Sequence, residues 1–323
     1  MGPETSRNTP SNQGLVINII SGMSSYERHP LVSVVMCCYN SEKYIAETIN
    51  SVLNQTYNNF EFIIWNDGSI DDSEIIIKSF HDNRIRYYYH DNTGLGIALG
   101  LACKEASGKY IARIDADDIC MPDRFEKEVS FLESHEDYVL VGSSVVYIDK
   151  DGKTLGRSFP WTWASCQSMR QSVAHPSSMY RREAYMKTCG YLNVRSCEDV
   201  VLWSKMVKLG KFYNIQRPLI KYRLLDGSLS HCLDEKSVYF VLLETIRKKM
   251  RDDDIVLEDD IRLHNYIFTY VKKHNSSQGK IGYKISLEEK IFNILRLFLG
   301  NKISAQLVFI MKNLYIYIHE RLQ

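Results

Sequence analysis

Short apolar runs alternate with amphipathic helical patterns through the first half of the chain. Val32–Cys38 is a continuous apolar run of strand length, and residues 44–53 place their apolar side chains on one face of a helix. Further strands are predicted at Phe60–Trp65, Arg84–His90 and Tyr110–Ile114, and further helices at 69–80, 96–106 and 122–134. This strand–helix order predicts an α/β domain with a parallel, doubly wound sheet.

Local signals mark where some of these elements begin. Ser69 followed by Asp72 predicts a capping box at the start of a helix. Pro122 is predicted to lie in the first turn of the next helix, where its missing N–H is tolerated. Tyr138–Ile148 and Lys153–Arg157 flank an Asp-Gly turn signal and predict a hairpin.

The patterning divides the chain into three parts. Residues 1–30 are rich in Ser, Asn and Pro, and we expect a disordered leader or an expression remnant; Leu15–Ile20 is too short an apolar run for a secretory signal. Residues 31–232 carry the α/β pattern, with a later helix predicted at Val200–Leu209. Residues 233–323 are predicted to form a helical C-terminal region.

Charge and cysteine usage narrow the functional classes. Lys and Arg number 40 against 39 Asp and Glu, so the basic excess typical of nucleic-acid-binding proteins is missing and no such partner is expected. None of the eight cysteines forms a C-x-x-C pair, which disfavours a zinc or thioredoxin-like site. Reduced, mostly buried thiols in a cytoplasmic protein are therefore expected.

The acidic sequence Asp115-Ala-Asp117-Asp118 directly follows the predicted strand at Tyr110–Ile114. Three carboxylates this close repel one another, and burying them without a cation is costly. Mg²⁺ or Mn²⁺ removes that cost, because such hard ions prefer oxygen ligands and share them with substrate phosphates. An acidic turn that caps the next helix is the alternative. The position after a buried strand favours a metal site, because ligands bind at the carboxyl ends of strands in such sheets.

Two other segments admit both a binding role and a local structural one. In Asn66-Asp67-Gly68-Ser69, the carboxylate of Asp67 is suited to accept a hydrogen bond from a nucleobase, but an ordinary Asp-Gly turn also explains these residues. Glu198-Asp199 is expected to precede a helix, where the helix dipole favours carboxylates; a general base is the alternative. The glycines between 94 and 100 lack the spacing and strand context of a dinucleotide fingerprint, which excludes an NAD site.

In their order and spacing, these segments resemble the family 2 inverting glycosyltransferases, which have the GT-A fold. The resemblance spans about residues 31 to 231 and implies a Rossmann-like, doubly wound mixed sheet with a helical C-terminal appendage. It is carried by Val32-Ser-Val-Val-Met-Cys-Cys-Tyr-Asn40, Asn54-Gln55-Thr56-Tyr57, Asn66-Asp67-Gly68-Ser69, Gly108-Lys-Tyr-Ile-Ala-Arg-Ile-Asp-Ala-Asp-Asp118, His175-Pro176, Gly190-Tyr191, Glu198-Asp199 with Leu202-Trp203, and Pro218-Leu219 with Tyr222-Arg223.

The resemblance implies a nucleotide-sugar pocket in the first half of this span. Within it, Asp67 would contact the nucleobase and Asp115 the ribose. Asp117 would ligate the Mn²⁺ or Mg²⁺ ion that bridges the diphosphate. The residues implied to bind the nucleotide sugar are Tyr39, Asn40, Asp67, Arg113, Asp115 and Ala116.

The second half of the span carries the implied acceptor side. Asp199 would be the catalytic base, and the residues implied to bind acceptor or phosphate groups are His175, Glu198 and Arg223. Family members often carry a histidine shortly after the Tyr-Arg pair. Here Leu224-Leu225-Asp226 follow instead, and His231 would substitute only if its loop folded back.

The implied function is transfer of a hexose from a UDP-sugar to a hydroxyl of a glycan acceptor, with inversion. UDP-glucose and UDP-galactose are the preferred donors, followed by UDP-N-acetylhexosamines. The bacterial-looking composition and the family suggest surface-polysaccharide synthesis, such as O-antigen or capsule, on a polyprenyl-diphosphate-linked acceptor at the inner face of the cell membrane. The alternatives are a non-catalytic glycan-binding module that has lost Asp117 or Asp199, and a phosphohydrolase with ligands for a second metal. The sequence shows neither.

The C-terminal segment Glu288–Gln323 is rich in Ile, Leu, Phe and Tyr. Charged residues interrupt it too often for a membrane span. Two predictions remain open: a pair of helices packed on the catalytic domain, or a surface that dips into the bilayer. The basic residues that suit anionic headgroups are Lys290, Arg296, Lys302 and Lys312.

Overall fold

The computed structural model describes residues 29–158, 163–164, 173–188, 190–194 and 198–225. The predictions for residues 1–28 and for the C-terminal region, including His231 and the membrane-facing alternative, lie outside these residues.

The strands are β1 (Val32–Cys38), β2 (Phe60–Asp67), β3 (Ile85–His90), β4 (Tyr110–Arg113), β5 (Ile119–Cys120), β6 (Tyr138–Ile148), β7 (Thr154–Arg157), β8 (Trp163–Ala164), β9 (Met179–Arg181) and β10 (Lys211–Arg223). The helices are α1 (Ile45–Leu53), α2 (Ser73–Lys78), α3 (Leu95–Lys104), α4 (Arg124–Ser134), α5 (Arg182–Met186) and α6 (Glu198–Met206), with a 3-10 turn at His175–Ser177.

The strands described form one mixed sheet in the order β3-β2-β1-β4-β9-β6-β10-β5. Parallel pairs join β3 to β2, β2 to β1 and β1 to β4, so the first half is the predicted parallel sheet. Beyond β4 the sheet departs from that prediction, because β9 runs antiparallel to both β4 and β6. The predicted hairpin is confirmed, since β7 pairs antiparallel with β6. The complete sheet, with parallel and antiparallel strands, agrees with the mixed sheet that the resemblance implies.

Apolar side chains of β1 are buried on both faces of the sheet. Because strand side chains alternate, Val34 and Met36 pack into one core with α1 and α4. Val35 and Cys37 pack into the opposite core, with α3 and α6. Both faces are therefore covered by helices, which explains the continuous apolar run that predicted this strand.

Three predicted helix starts differ in the structure. Helix α2 begins at Ser73 rather than with a capping box at Ser69, because the Ser69 hydroxyl accepts the Asn40 N–H (3.0 Å). Pro122 precedes the N-cap of α4 and lies outside the helix. Glu198 and Asp199 do not precede α6 but form its first turn. In the first case a tertiary hydrogen bond has overridden a local preference.

Strands β9 and β10 had no clear signal in the sequence. β10 is 13 residues long, and its ladder with β6 shifts register between Ile215 and Pro218, where proline has no N–H to donate. The irregularity breaks the alternation that would have revealed the strand. β10 also carries the chain back to β5 and to the loop that contains the acidic residues. No helix in the described segments has the length and apolarity needed to cross a bilayer.

Candidate active site

The loops that follow β1 and β2 are tied together by hydrogen bonds between side chains and backbone. Asn40 has a φ of 51°, in the left-handed region that Asn tolerates better than most residues. Its N–H donates to the Ser69 hydroxyl, and its side-chain oxygen accepts the Ile70 N–H at 2.9 Å. Tyr39, beside it, is half exposed. Two of the predicted nucleotide-binding residues, Tyr39 and Asn40, therefore lie in the loop at the carboxyl end of β1.

Asp67 is buried and organises the loop that precedes α3. One carboxylate oxygen accepts the N–H and the hydroxyl of Thr93, and the other accepts the Gly94 N–H, all at 2.9 Å. Gly68 lets this loop approach, because a Cβ there would lie 2.7 Å from the Asn92 nitrogen. A carboxylate has about four acceptor positions, so one position remains for a further donor. The nucleobase contact of Asp67 stays a prediction.

The carboxylates of Asp115, Asp117 and Asp118 lie together after β4, with their candidate ligand atoms within 4.8 Å of one another. Burial, followed by the charge of Asp115, raises the pKa of Asp117 to about 6. The same two causes raise the pKa of Asp118 well above its ordinary value. Oδ2 of Asp118 is buried and has no hydrogen-bond partner. These oxygen donors and the orphaned carboxylate oxygen fit a hard divalent ion such as Mg²⁺ or Mn²⁺.

The loop that bears these carboxylates is held from below by α1. The Thr48 hydroxyl lies 3.0 Å from the carbonyl oxygen of Ala116 and 2.8 Å from that of Asp118. Ala116 itself is buried in the core. Its role in the nucleotide-sugar pocket stays a prediction, and its observed contribution is to anchor the loop.

Arg223 clamps the same loop from the end of β10. Its backbone N–H donates to Oδ1 of Asp118 and its Nε to the carbonyl of Asp117, both at 2.8 Å. The remaining guanidinium nitrogens reach the carbonyls of Asp149 and Lys150 and, at 2.6 Å, the carboxylate of Glu47. The side chain thus holds the site together. Direct binding of acceptor or phosphate groups by Arg223 stays a prediction.

Glu198 and Asp199 are adjacent carboxylates in different environments. Nδ1 of His175 lies 3.4 Å from Glu198. Burial raises the pKa of Glu198, but the hydrogen bond and charge of His175 outweigh it, and the net pKa is lowered. Burial also raises the pKa of Asp199. The charge of His175 is too weak to offset this effect, so the net pKa of Asp199 is raised. Asp199 is therefore the better proton acceptor of the two.

His175 is fixed on its other side by Tyr191, whose hydroxyl lies 2.7 Å from Nε2. The ring is thereby held between the Glu198 carboxylate at Nδ1 and the Tyr191 hydroxyl at Nε2. The sequence offered Gly190-Tyr191 only as a matching fragment and gave no hint of this contact, which joins segments 16 residues apart. Tyr191 is thus a site residue that sequence reasoning missed.

Arg113, at the end of β4, interacts electrostatically with the acidic cluster and with the Glu198–Asp199 pair. Its guanidinium is buried and forms an ion pair with Asp115. Burial lowers the pKa of Arg113, but the charge and hydrogen bond of Asp115 outweigh it and the net pKa is raised. Its own charge lowers the pKa of Asp117 on one side and of Asp199 on the other. The charge of Arg113 therefore acts on carboxylates of both the acidic cluster and α6.

Arg124 supports this arrangement from α4 and was also missed. It is fully buried, and its Nη2 donates to the carbonyls of Arg113 (2.9 Å) and Ser178 (3.2 Å). Its Nε donates to the carboxylate of Glu128, one helical turn on. A buried ion pair on a core-facing helix has no signature in the apolar pattern, since both positions look solvent-exposed in sequence.

Comparison with known proteins identifies the protein family of this chain. Residues 33–188 match the family model described as Glycosyl transferase family 2. EpsE of Bacillus subtilis, a protein named as a glycosyltransferase, is 36% identical over 203 residues, which are 60% of this chain and 73% of EpsE. The chain belongs to glycosyltransferase family 2. A protein of Haemophilus influenzae named as an uncharacterized glycosyltransferase is 30% identical over 321 residues. The match covers 90% of this chain and 96% of the Haemophilus influenzae protein.

Solved structures show the same fold for this glycosyltransferase. TarS residues 1–349 of S. aureus, crystallised with UDP-GlcNAc, aligns with a TM-score of 0.59 at 18% identity, covering 82% of this chain and 80% of that one. The mannosyltransferase PcManGT of Pyrobaculum calidifontis, in complex with GDP-Man and Mn²⁺, aligns with a TM-score of 0.51 at 13% identity, covering 91% and 87%. These structures confirm the GT-A fold that the resemblance implies, and the family match supports glycosyltransferase activity.

Proposed function

We propose that this glycosyltransferase moves a hexose from a UDP-sugar to a hydroxyl of a glycan acceptor, with inversion at the anomeric carbon. The observation that carries the proposal is the cluster of Asp115, Asp117 and Asp118, whose candidate ligand atoms lie within 4.8 Å of one another in a chain of this family. In the proposed complex, a donor held at this cluster would have its sugar close to Asp199. Such proximity is what a direct displacement requires.

The donor side would be formed by the loops after β1, β2 and β4. Asp67 would accept a hydrogen bond from the base beside Tyr39 and Asn40, and Asp115 would contact the ribose. Asp117 is the proposed metal ligand, with the buried Asp118 behind it. A bound Mn²⁺ or Mg²⁺ ion would stabilise the negative charge that develops on the departing nucleoside diphosphate. The UDP-GlcNAc complex of TarS and the Mn²⁺ complex of PcManGT support this class of donor and ion.

The acceptor side would use Asp199 as the general base. Its raised pKa suits proton transfer, while His175 keeps the neighbouring Glu198 ionised. Asp199 would take the proton of an acceptor hydroxyl as that oxygen bonds to the anomeric carbon. The bond from that carbon to the diphosphate oxygen would break on the opposite face, releasing UDP. One displacement of this kind inverts the configuration.

UDP-glucose and UDP-galactose are the proposed donors, with UDP-N-acetylhexosamines next. The proposed acceptor is a sugar on a polyprenyl diphosphate, used at the inner face of the cell membrane in surface-polysaccharide synthesis. Its support is the apolar, Lys/Arg-interrupted sequence of Glu288–Gln323. Flotation of the full chain with vesicles of anionic lipid, and with neutral vesicles as control, tests the membrane contact. Failure to float with either would contradict it.

The decisive experiment is a donor screen with Mn²⁺ or Mg²⁺, run with and without candidate glycan acceptors. Release of UDP only when acceptor is present, with a product of inverted configuration by NMR, supports the proposal. Release without acceptor would indicate a phosphohydrolase, and saturable binding without release would indicate a glycan-binding module. Asp117→Asn serves as the paired variant, since it should abolish the metal-dependent part of the turnover.

A further inference from the structure

One loop takes up most of the hydrogen-bond acceptor capacity of Asp67, the residue proposed to contact the nucleobase. Oδ1 accepts both the N–H and the hydroxyl of Thr93, and Oδ2 accepts the N–H of Gly94, all at 2.9 Å. A carboxylate has about four acceptor positions, two on each oxygen. Thr93 alone therefore fills Oδ1, and the position that is left lies on Oδ2.

Both sides of this contact are fixed by regular structure. Asp67 closes β2 and pairs with His90 at the end of the β2–β3 ladder. Its backbone carbonyl accepts from Nδ2 of Asn92 at 2.9 Å, which ties the loop to the strand a second time. Gly94 is the N-cap of α3, and its carbonyl accepts the Ala98 N–H at 3.0 Å. The carboxylate is therefore preorganised, with Thr93 held against Oδ1.

Open space adjoins the oxygen that has an acceptor position left. Gly94, whose N–H donates to Oδ2, has a φ of 89°, and a Cβ built there would meet nothing within 4 Å. Asn92 and Gly94 are exposed and Thr93 is half-buried, so the loop lies at the surface over the carboxylate. The side chain of Asp67 is thus close to solvent on the side of Gly94, although the residue is only 4% exposed.

The number of acceptor positions left decides which nucleobase edge fits. Uracil presents one N–H, at N3, and needs one position. Guanine presents two adjacent donors, at N1 and N2, which pair with a carboxylate by using both of its oxygens. With Oδ1 filled by Thr93, guanine leaves one donor without an acceptor. A site that leaves a donor unpaired rejects that ligand, because the lost hydrogen bond with water is not replaced.

We propose that Thr93 is a specificity-determining residue, which restricts Asp67 to a base with a single N–H and thereby selects uridine over guanosine diphosphate sugars. The inference rests on the proposed function, because it takes Asp67 as the nucleobase contact. In this role the N3–H of uracil donates to Oδ2, while the hydroxyl of Thr93 stays on Oδ1. Thr93 itself acts through the carboxylate and needs no contact with the base.

The test measures the binding of nucleoside diphosphates by calorimetry with Mn²⁺ present, so that ribose and diphosphate contacts are the same throughout. GDP and inosine diphosphate (IDP) are the decisive pair, because hypoxanthine keeps the N1–H of guanine and lacks its N2 amine. The wild type should bind UDP and IDP at least about 10-fold more tightly than GDP. Thr93→Val keeps the shape of the side chain and removes the hydroxyl, and should bring IDP and GDP to within about 2-fold.

Two controls separate this effect from a general disturbance of the loop. Thr93→Ser keeps the hydroxyl and should retain the wild-type ratio of IDP to GDP affinity, and urea midpoints establish that each variant is folded. N3-methyl-UDP lacks the imide donor and tests the contact of Asp67 without any substitution. The wild type should bind it about 10- to 100-fold more weakly than UDP.

A purely structural role for Thr93 predicts something different. If the residue only fixes the loop, Thr93→Val keeps the wild-type ratio of IDP to GDP affinity, which overturns the proposal. Equal affinity for UDP and N3-methyl-UDP also overturns it. So does a failure of both purine nucleotides to bind, because the size of the base would then exclude guanine. The proposed function fails separately, if the affinity ratios are as expected but the wild type transfers no sugar from any donor.

Discussion

The backbone N–H of Arg223 donates a 2.8 Å hydrogen bond to the buried carboxylate of Asp118, 105 residues earlier in the chain. The same residue reaches the carbonyl of Asp117 through its side chain. Strand β10 therefore fixes the loop that follows β4, and with it the candidate metal ligands. A site built from two distant segments is sensitive to changes that never touch a substrate.

Arg223→Leu should destabilise the protein and weaken metal binding. The substitution leaves the part-buried carbonyls of Asp117, Asp149 and Lys150 without the Arg223 donor, at a cost of about 2–3 kcal/mol in the free energy of unfolding. Urea unfolding measures the loss, and a Mn²⁺ titration followed by turnover measures the affinity. Lys221→Leu, on the same strand, is the matched control and should lose less than about 1 kcal/mol. Equal stability of the two variants would rule out the clamp.

Asp199→Asn should lower kcat by about 10²- to 10⁴-fold, as expected for removal of a general base, with little change in donor binding. In the wild type, kcat/KM should rise with pH through the pKa of Asp199, which burial raises above its ordinary value. The variant should lack this limb of the pH profile. Asp137→Asn removes a solvent-exposed carboxylate paired with Lys211 and should leave activity unchanged. Turnover of Asp199→Asn within a few-fold of wild type would make the assignment wrong.

Asp117→Asn should stabilise the metal-free protein near pH 7. The folded pKa of Asp117 is about 6, raised by burial and by Asp115, against an ordinary value of 3.8. The folded state then retains a proton that the unfolded chain has lost, so this residue's contribution to stability falls as pH rises from about 4 to about 6. The gain from Asn is about 3 kcal/mol above that range, and it is lost below about pH 4.

Thermal unfolding in EDTA at pH 4 and pH 7.5 measures this difference. Adding Mn²⁺ should raise the Tm of the wild type, because an ion that binds only the folded state stabilises it, and should raise that of Asp117→Asn less. A variant that is less stable than the wild type in EDTA at pH 7.5 would contradict the sign of the effect.

Gly96→Ala should disturb the packing of α3. A Cβ there would lie 2.5 Å from the backbone oxygen of Leu192, in the segment that carries Tyr191. We expect a loss of about 1–3 kcal/mol in stability and a lower kcat, because Tyr191 holds His175. Gly156→Ala on β7 is the matched control, since a Cβ there meets nothing within 4 Å. Indistinguishable unfolding midpoints for the two variants would refute this close approach.

Several elements were predictable because their signals are local. The apolar run at Val32–Cys38 became β1 with the same bounds, and the hairpin at 138–157 followed from its Asp-Gly turn. The capping box at Ser69 failed because a hydroxyl that can cap a helix can equally accept a hydrogen bond from another loop. Strand β10 was not predicted, because a register shift beside Pro218 breaks the alternation of apolar and polar residues that marks a strand.

The sequence by itself determined the parallel half of the sheet, the acidic cluster at the end of β4 and the family. Each of these is written in neighbouring residues or in the order of short motifs. The tertiary structure alone decided that Arg223 holds the acidic loop, that His175 lies against Glu198 and Tyr191, and that the charge of Arg113 acts on both Asp117 and Asp199. The physical reason is that apolar periodicity reports which positions are buried, whereas hydrogen-bond partners and pKa shifts depend on groups brought together by folding.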